Sequence, residues 1–104
     1  MVAEDDRGEI VGFVYGYFKD VPEGALERWK VSKVAQVELI AVHPGYRGKG
    51  VGRKLLSKLL ETFREAGADM VLVNCPTSAV EAKGLYEEMG FDVRSCQMSL
   101  RLRG

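Results

Sequence analysis

The sequence is poor in the residues that mark several specialised protein classes. Its 104 residues contain two cysteines, three prolines and one histidine. Cys75 and Cys96 are too few for a disulfide scaffold, and their spacing matches no metal-binding motif. We therefore interpret both as free thiols of a reducing compartment, and we expect no metal site.

The sequence also has no excess of charge of either sign and no long apolar run. Fifteen basic and fifteen acidic residues cancel, so bulk electrostatics predict no nucleic-acid partner. No apolar run approaches the ~20 residues that span a membrane. Glu4, Asp5 and Asp6 follow Met1 closely, where a signal peptide would be basic and then apolar. These absences predict a cytoplasmic protein with no membrane partner.

What the sequence does contain is enough apolar material for a folded core. Residues of apolar type make up 46% of the chain, and the length is near the commonest domain size. We expect one domain over residues 1–104.

A glycine-rich loop at residues 42–52 stands between an apolar run and an amphipathic one. It contains Gly45, Gly48, Gly50, Gly52, Arg47 and Lys49. Glycines let the backbone approach a ligand closely, and the first turn of the following helix has unpaired N–H groups and the positive end of the helix dipole. These features predict an anion site, and a diphosphate fits it best.

The spacing of this loop differs from the two best-known phosphate loops. A Walker A motif needs Ser or Thr directly after its lysine, and neither follows Lys49. A Rossmann fingerprint needs a third glycine, but Arg53 and Leu55 occupy the positions counted from Gly48 and Gly50. The alternative is a glycine-rich connection that binds no ligand. Four glycines argue against it, because a structural turn needs only one or two.

Hydrophobic periodicity predicts a mixed sheet with helices packed on it. The predicted strands are 9–18, 31–42, 70–75 and 96–102, and the predicted helices are 53–66 and 78–89, the second starting at a capping box over 78–81. Residues 19–30 are predicted to be a loop with at most one helical turn. Strict alternation along the second strand would place Val37 and Leu39 on one face, with Gln36 and Glu38 on the other.

Two motifs in this order resemble those of one enzyme family. The loop reads Arg47-x-x-Gly50-x-Gly52 behind Ala-Val-His-Pro, and the last helix carries Leu-Tyr-x-x-x-Gly-Phe over residues 85–91. Together they resemble the GNAT N-acetyltransferases over roughly residues 9–102. The resemblance implies a mixed α/β (α+β) fold, with antiparallel N-terminal strands followed by a βαβ unit. It also implies an abbreviated form, because the family's usual first strand and two helices would precede residue 1.

The same resemblance implies acetyl-CoA as the acyl donor and assigns the residues that would bind it. The main chain of Ile40, Ala41 and Val42 would pair with the pantetheine arm like an added strand. The pyrophosphate would be bound by Arg47, Gly48, Lys49, Gly50, Val51 and Gly52.

Two side chains are candidates for the proton transfers. Tyr86 matches the tyrosine that protonates the leaving thiolate in many members, and its alternative role is that of a half-buried core aromatic. Glu38 is the candidate general base, because attack on a thioester needs a neutral amine. The alternatives are that Glu38 pairs with a surface lysine, or that Gln36 orients a water as the base.

The resulting prediction is an N-acetyltransferase that moves acetyl from acetyl-CoA to a primary amine by direct attack. An alternative is a non-catalytic acyl-CoA-binding regulatory or assembly module, and a third is a phosphate-binding βαβ domain of another family. Without the family's N-terminal helices, Phe13, Tyr15 and Leu39 are expected to face water. Because such a patch is rarely bare on a monomer, we predict a homodimer.

Overall fold

The computed structural model describes residues 1–75 and 79–103. Its elements are β1 (Val2–Glu4), β2 (Ile10–Lys19), α1 (Glu23–Trp29), β3 (Val34–Val42), a 3₁₀ turn (Pro44–Tyr46), α2 (Val51–Glu65), β4 (Met70–Val73) and α3 (Val80–Glu88). By internal contacts the chain forms two compact units, Met1–Asn74 and Cys75–Gly104. In the described part of the chain, no helix has the length and apolar character to cross a membrane.

The first unit is built on a four-stranded sheet in the order β1-β2-β3-β4. β1 pairs antiparallel with β2, β2 pairs antiparallel with β3, and β3 pairs parallel with β4. The parallel pair needs a crossover, which α2 provides. The predicted mixed sheet with a βαβ unit is therefore confirmed.

Helix α2 covers one face of β2 and β3. Its buried residues are Leu55, Leu56, Leu59 and Phe63. Glycines of β2 face these side chains: a Cβ added to Gly12 would lie 3.2 Å from Cδ1 of Leu55. Glycine thus lets the helix lie close to the strand. The helix begins at Val51, two residues before the predicted start, and ends before Gly67, whose φ of 97° is the left-handed conformation expected there.

A β-bulge at Glu38 breaks the alternation along β3. Tyr15 pairs with Leu39 and Gly16 with Val37, so Glu38 is an extra residue without a direct partner on β2. Gly16 faces α2, and the directly opposite Val37 therefore shares that face, while Leu39 lies on the other face with Tyr15. The prediction that Val37 and Leu39 share a face is wrong, because one inserted residue reverses the alternation.

The predicted final strand is also wrong. Residues 91–103 form no strand, and Met98, Leu100 and Leu102 are more than four-fifths exposed. Alternation alone does not make a strand, because its N–H and C=O groups need a neighbouring strand, and none pairs with this segment among the described residues.

Smaller differences concern element ends. Helix α1 has about two turns where at most one is predicted, and β4 ends two residues early. Helix α3 is confirmed and is followed by Gly90 at φ 99°, but the capping box falls on Ser78, outside the described residues.

Candidate functional site

The glycine-rich loop leads into α2, and its backbone is open on one side. Gly48 and Gly50 have φ of 78° and 80°, and Gly50 is the N-cap of α2. Positive φ is the reason for glycine at both positions, because side chains with a Cβ rarely adopt it. A Cβ built on either residue meets no atom within 4 Å. The backbone is therefore accessible to a ligand from this side.

The electrostatics of the loop suit an anion. Helix α2 has 15 residues, so its N-terminus carries a developed positive dipole end, and its first turn has N–H groups without carbonyl partners in the helix. The first turn contains no acidic residue, and the exposed side chains of Arg47 and Lys49 lie just before it. This arrangement fits a phosphate or diphosphate group.

Arg47 connects the loop to the end of β3. Its Nε donates a hydrogen bond to the carbonyl oxygen of Val42, at 3.3 Å. The neighbouring N–H of His43 donates to the carbonyl oxygen of Val11 on β2, at 2.7 Å. Since backbone groups of successive strand residues point to opposite edges, the Val42 carbonyl points away from β2.

The edge of β3 that faces away from β2 is only half paired. Strand β4 pairs with Val34 to Val37 and ends there. Beyond Val37, no described strand pairs with this edge of β3. The carbonyl oxygen of Ala41 lies against Gly12 of β2, so the main-chain groups of Ile40 and Val42 point to the unpaired edge. An extended ligand with amide groups can add there as a strand, and the edge leads directly into the glycine-rich loop.

The bulge places Glu38 beside Tyr17 on the sheet face that α2 does not cover. The pKa of Tyr17 is raised, first by partial desolvation and then by the negative charge of Glu38 and the hydrogen bond between the two side chains. Gln36, opposite Tyr17, is almost completely buried and accepts a hydrogen bond at 2.9 Å from Nζ of Lys19. The amide oxygen of Gln36 is thus already bonded, whereas the carboxylate of Glu38 is exposed.

Tyr86 belongs to the second unit, where it is buried in α3. Its ring packs 5.6 Å from that of Phe91, and its carbonyl oxygen accepts the Phe91 N–H at 3.0 Å. Burial raises the pKa of Tyr86, and the Cys75 thiol adds to that shift. The phenol therefore remains protonated at neutral pH, as a proton donor must.

The predicted residues fall into two groups. Glu38, Ile40 to Val42 and the loop follow one another along β3 and into α2, within the first unit, while Tyr86 lies in the second. Sequence reasoning missed Tyr17 and the contacts of Tyr46. The sequence signal for Tyr17 is its spacing of two residues from Tyr15 on a strand. Its contact with Glu38 could not be predicted, because that contact depends on the bulge. Among the described residues, no group of three His, Cys, Asp or Glu side chains is placed to hold a metal ion.

A strand of a mixed sheet that leads through a glycine-rich loop into a long helix is an arrangement typical of α/β proteins that bind nucleotides or phosphates. The model of the acetyltransferase (GNAT) family matches residues 1–91. The chain belongs to this family.

Individual relatives support the family assignment. A mycothiol acetyltransferase of Propionibacterium freudenreichii is 32% identical over 95 residues, which are 91% of this chain and 28% of that protein. The structure of the ribosomal-protein-alanine N-acetyltransferase of Brucella melitensis aligns with a TM-score of 0.75 at 28% identity. The alignment covers 97% of this chain and 68% of that protein chain. An aminoglycoside N-acetyltransferase in complex with CoA has a TM-score of 0.80, covering 99% and 74%, and at 21% identity this likeness shows the fold. The chain spans 15% to 45% of the length of the curated relatives it matches.

Proposed function

We propose that this protein is an N-acetyltransferase that transfers the acetyl group of acetyl-CoA to a primary amine. One observation carries the proposal: the unpaired edge of β3 at Ile40 and Val42 continues into the open N-terminus of α2 at Gly50. CoA has a matching chemical order, because its arm contains amides that pair like a strand and its diphosphate follows them. The N-acetyltransferases among the relatives support the choice of reaction.

The residues would bind CoA as follows. Ile40 and Val42 would pair with the pantetheine arm through their main-chain groups, for which Arg47 would release the Val42 carbonyl. Ala41 would lie between them, with its own main-chain groups directed to β2. The diphosphate would be bound by main-chain N–H groups from Arg47, Gly48, Lys49, Gly50, Val51 and Gly52.

The proton transfers are assigned to Glu38 and Tyr86. Acetyl-CoA supplies an activated thioester carbonyl, and direct attack by an amine forms the amide bond and breaks the carbon–sulfur bond. Glu38 accepts the proton that an alkylammonium must lose before it attacks, because such amines are nearly all charged at pH 7. Tyr86 donates a proton to the departing thiolate, and the second proton that the nitrogen loses as the amide forms replaces it.

The test is thiol release from acetyl-CoA, measured with a panel of primary amines. Glu38→Gln should lower turnover by ~10²–10⁴-fold at neutral pH, the usual contribution of a general base. Part of the activity should return as pH rises, because the free amine then forms without a base. Glu61→Gln, which removes an exposed carboxylate from α2, is the matched control and should leave turnover unchanged. Wild-type protein that binds CoA but acetylates no amine would instead support the non-catalytic acyl-CoA-binding module.

We further propose that residues 1–104 act as a single domain, in the cytoplasm and as a homodimer. The family model supports the first point, since residues 1–91 include all of the first compact unit and part of the second. Cys75 and Cys96 are not joined in a disulfide, which suits a reducing compartment. The exposed Phe13, Tyr15 and Leu39 on the sheet support self-association.

A further inference from the structure

The turn between β1 and β2 holds the carboxylate of Asp5 in a fixed orientation. Oδ1 of Asp5 accepts the backbone N–H groups of Arg7 and Glu9, at 2.9 and 3.0 Å. The turn itself is closed by backbone bonds between Asp5 and Glu9 and between Gly8 and Asp5, with Gly8 at φ 80°. These bonds use one carboxylate oxygen and leave the other to point out of the turn.

The second oxygen contacts the glycine-rich loop. The hydroxyl of Tyr46 donates to Oδ2 of Asp5 at 3.1 Å, across 41 residues of sequence. The pKa of Asp5 is lowered, first by the Glu9 N–H, with the Tyr46 hydroxyl contributing. The pKa of Tyr46 is raised, first by its hydrogen bond to Asp5. Both shifts preserve the pair of phenol donor and carboxylate acceptor through neutral pH.

Tyr46 stands directly before the residues that would bind the diphosphate. It ends the 3₁₀ turn, its ring lies 6.0 Å from that of His43, and Nζ of Lys49 lies 5.3 Å from its centroid. The segment that follows contains Gly48 and Gly50, whose backbone freedom makes an unsupported loop costly to order on binding. The Asp5–Tyr46 bond fixes the loop against the turn between β1 and β2.

We propose that Tyr46 and Asp5 are positioning residues, whose hydrogen bond preorganises the glycine-rich loop for the diphosphate of CoA. The inference rests on the proposed function. Asp5, Asp6 and Glu9 all lie near Tyr46, and the inference gives a role to Asp5. Asp5 anchors the loop, although the negative charge of the turn disfavours a phosphate nearby.

The test is a double-mutant cycle on CoA affinity, measured by calorimetry, with urea unfolding of the same variants. Tyr46→Phe keeps the ring and removes the hydroxyl, and Asp5→Asn removes the charge. Each should weaken CoA binding by about two- to tenfold, the size expected of one hydrogen bond, and the double variant should bind no more weakly than the worse single variant. Asp6→Asn is the matched control, because it removes a carboxylate of the same turn that Tyr46 does not bond, and its affinity should be unchanged or higher.

The outcomes separate this inference from the function on which it rests. Wild-type protein that does not bind CoA would overturn both. Normal wild-type affinity, with Tyr46→Phe equal to it, would overturn the positioning role alone. A third outcome is that the effects of the Asp5 and Tyr46 substitutions are coupled in the free energy of unfolding but not in CoA affinity. That outcome would also overturn the positioning role, since the bond would then be structural only. If Asp5→Asn fails to fold, the affinity of Tyr46→Phe decides the question.

Discussion

Gly16 of β2 lies so close to Phe63 of α2 that a Cβ added to the glycine would stand 2.8 Å from Cζ of the ring. The same Cβ would stand 2.6 Å from the backbone carbonyl oxygen of Gln36, which cannot move without disturbing β3. The contact lies next to the bulge, where Gly16 pairs with Val37. The close approach of helix and strand beside Glu38 therefore depends on the absence of one methyl group.

This contact leads to a stability prediction. Gly16→Ala should lower the free energy of unfolding by ~1–3 kcal/mol, the usual cost of overpacking a filled core. Gly24→Ala is the control, because Gly24 lies in α1 and an added Cβ meets no atom within 4 Å. That variant should be neutral or more stable by ~0.4–1 kcal/mol. Urea unfolding measures both, and equal stability of the two variants would contradict the packing argument.

A second prediction concerns the loop backbone. Gly50→Val should strongly reduce CoA affinity while the fold survives, because the branched side chain fills the space through which a phosphate approaches. The substitution also strains the backbone, since φ at Gly50 is 80°. Gly67→Val controls for that strain, because Gly67 has φ of 97° at the far end of α2.

Calorimetric titration with CoA distinguishes the two causes. Unchanged CoA affinity in folded Gly50→Val, or an equal loss in Gly67→Val, would count against phosphate binding by the loop.

The sequence predicted most of the sheet and both long helices, because their signals are local. Glycines at Gly67 and Gly90 mark helix ends, and the apolar spacing from Leu55 to Phe63 marks the buried face of α2. The glycine-rich loop was likewise predictable, since positive φ at Gly48 and Gly50 demands that residue type.

What the sequence could not predict depends on pairing between distant segments. Alternation in the chain contains no sign of the extra residue at Glu38, because the bulge exists only relative to Tyr15 and Gly16 of β2. The Asp5–Tyr46 bond joins segments 41 residues apart. The alternating pattern from Met98 to Leu102 predicted a strand that would need a partner, and in the described residues it has none.

A third prediction concerns Tyr86. Tyr86→Phe should lower turnover by ~10²–10⁴-fold with little change in CoA affinity, because the ring still packs on Phe91 and only the proton donor is lost. The raised pKa of Tyr86 also predicts a pH dependence. A general acid works in its protonated form, so ionisation of Tyr86 should not reduce turnover below pH ~10, the ordinary value for tyrosine.

Steady-state kinetics across pH, with chemistry as the slow step, measure both effects. Phe91→Leu is a packing control that keeps the hydroxyl, and its turnover should exceed that of Tyr86→Phe. Wild-type turnover in Tyr86→Phe would remove the residue from the mechanism.

The last prediction concerns assembly. Tyr15 and Leu39 pair across β2 and β3 on the face that α2 does not cover, and they are 56% and 51% exposed. Phe13 lies on the same face of β2 and is 38% exposed. A contiguous apolar patch of this kind favours association, and a two-fold pairing of equal patches is the simplest way for one chain to cover it. We therefore predict a homodimer by sedimentation velocity at micromolar concentration.

Substitution can locate the interface of that dimer. Replacing both Tyr15 and Leu39 by Lys should yield monomers, because pairing the patches would then bury like charges and desolvate them. Val80→Lys is the control: Val80 is 73% exposed but belongs to α3 and not to the sheet, and its variant should remain dimeric. A monomeric wild-type protein would show that the sheet face is stable in water. A dimer that survives the double substitution would move the interface elsewhere on the chain.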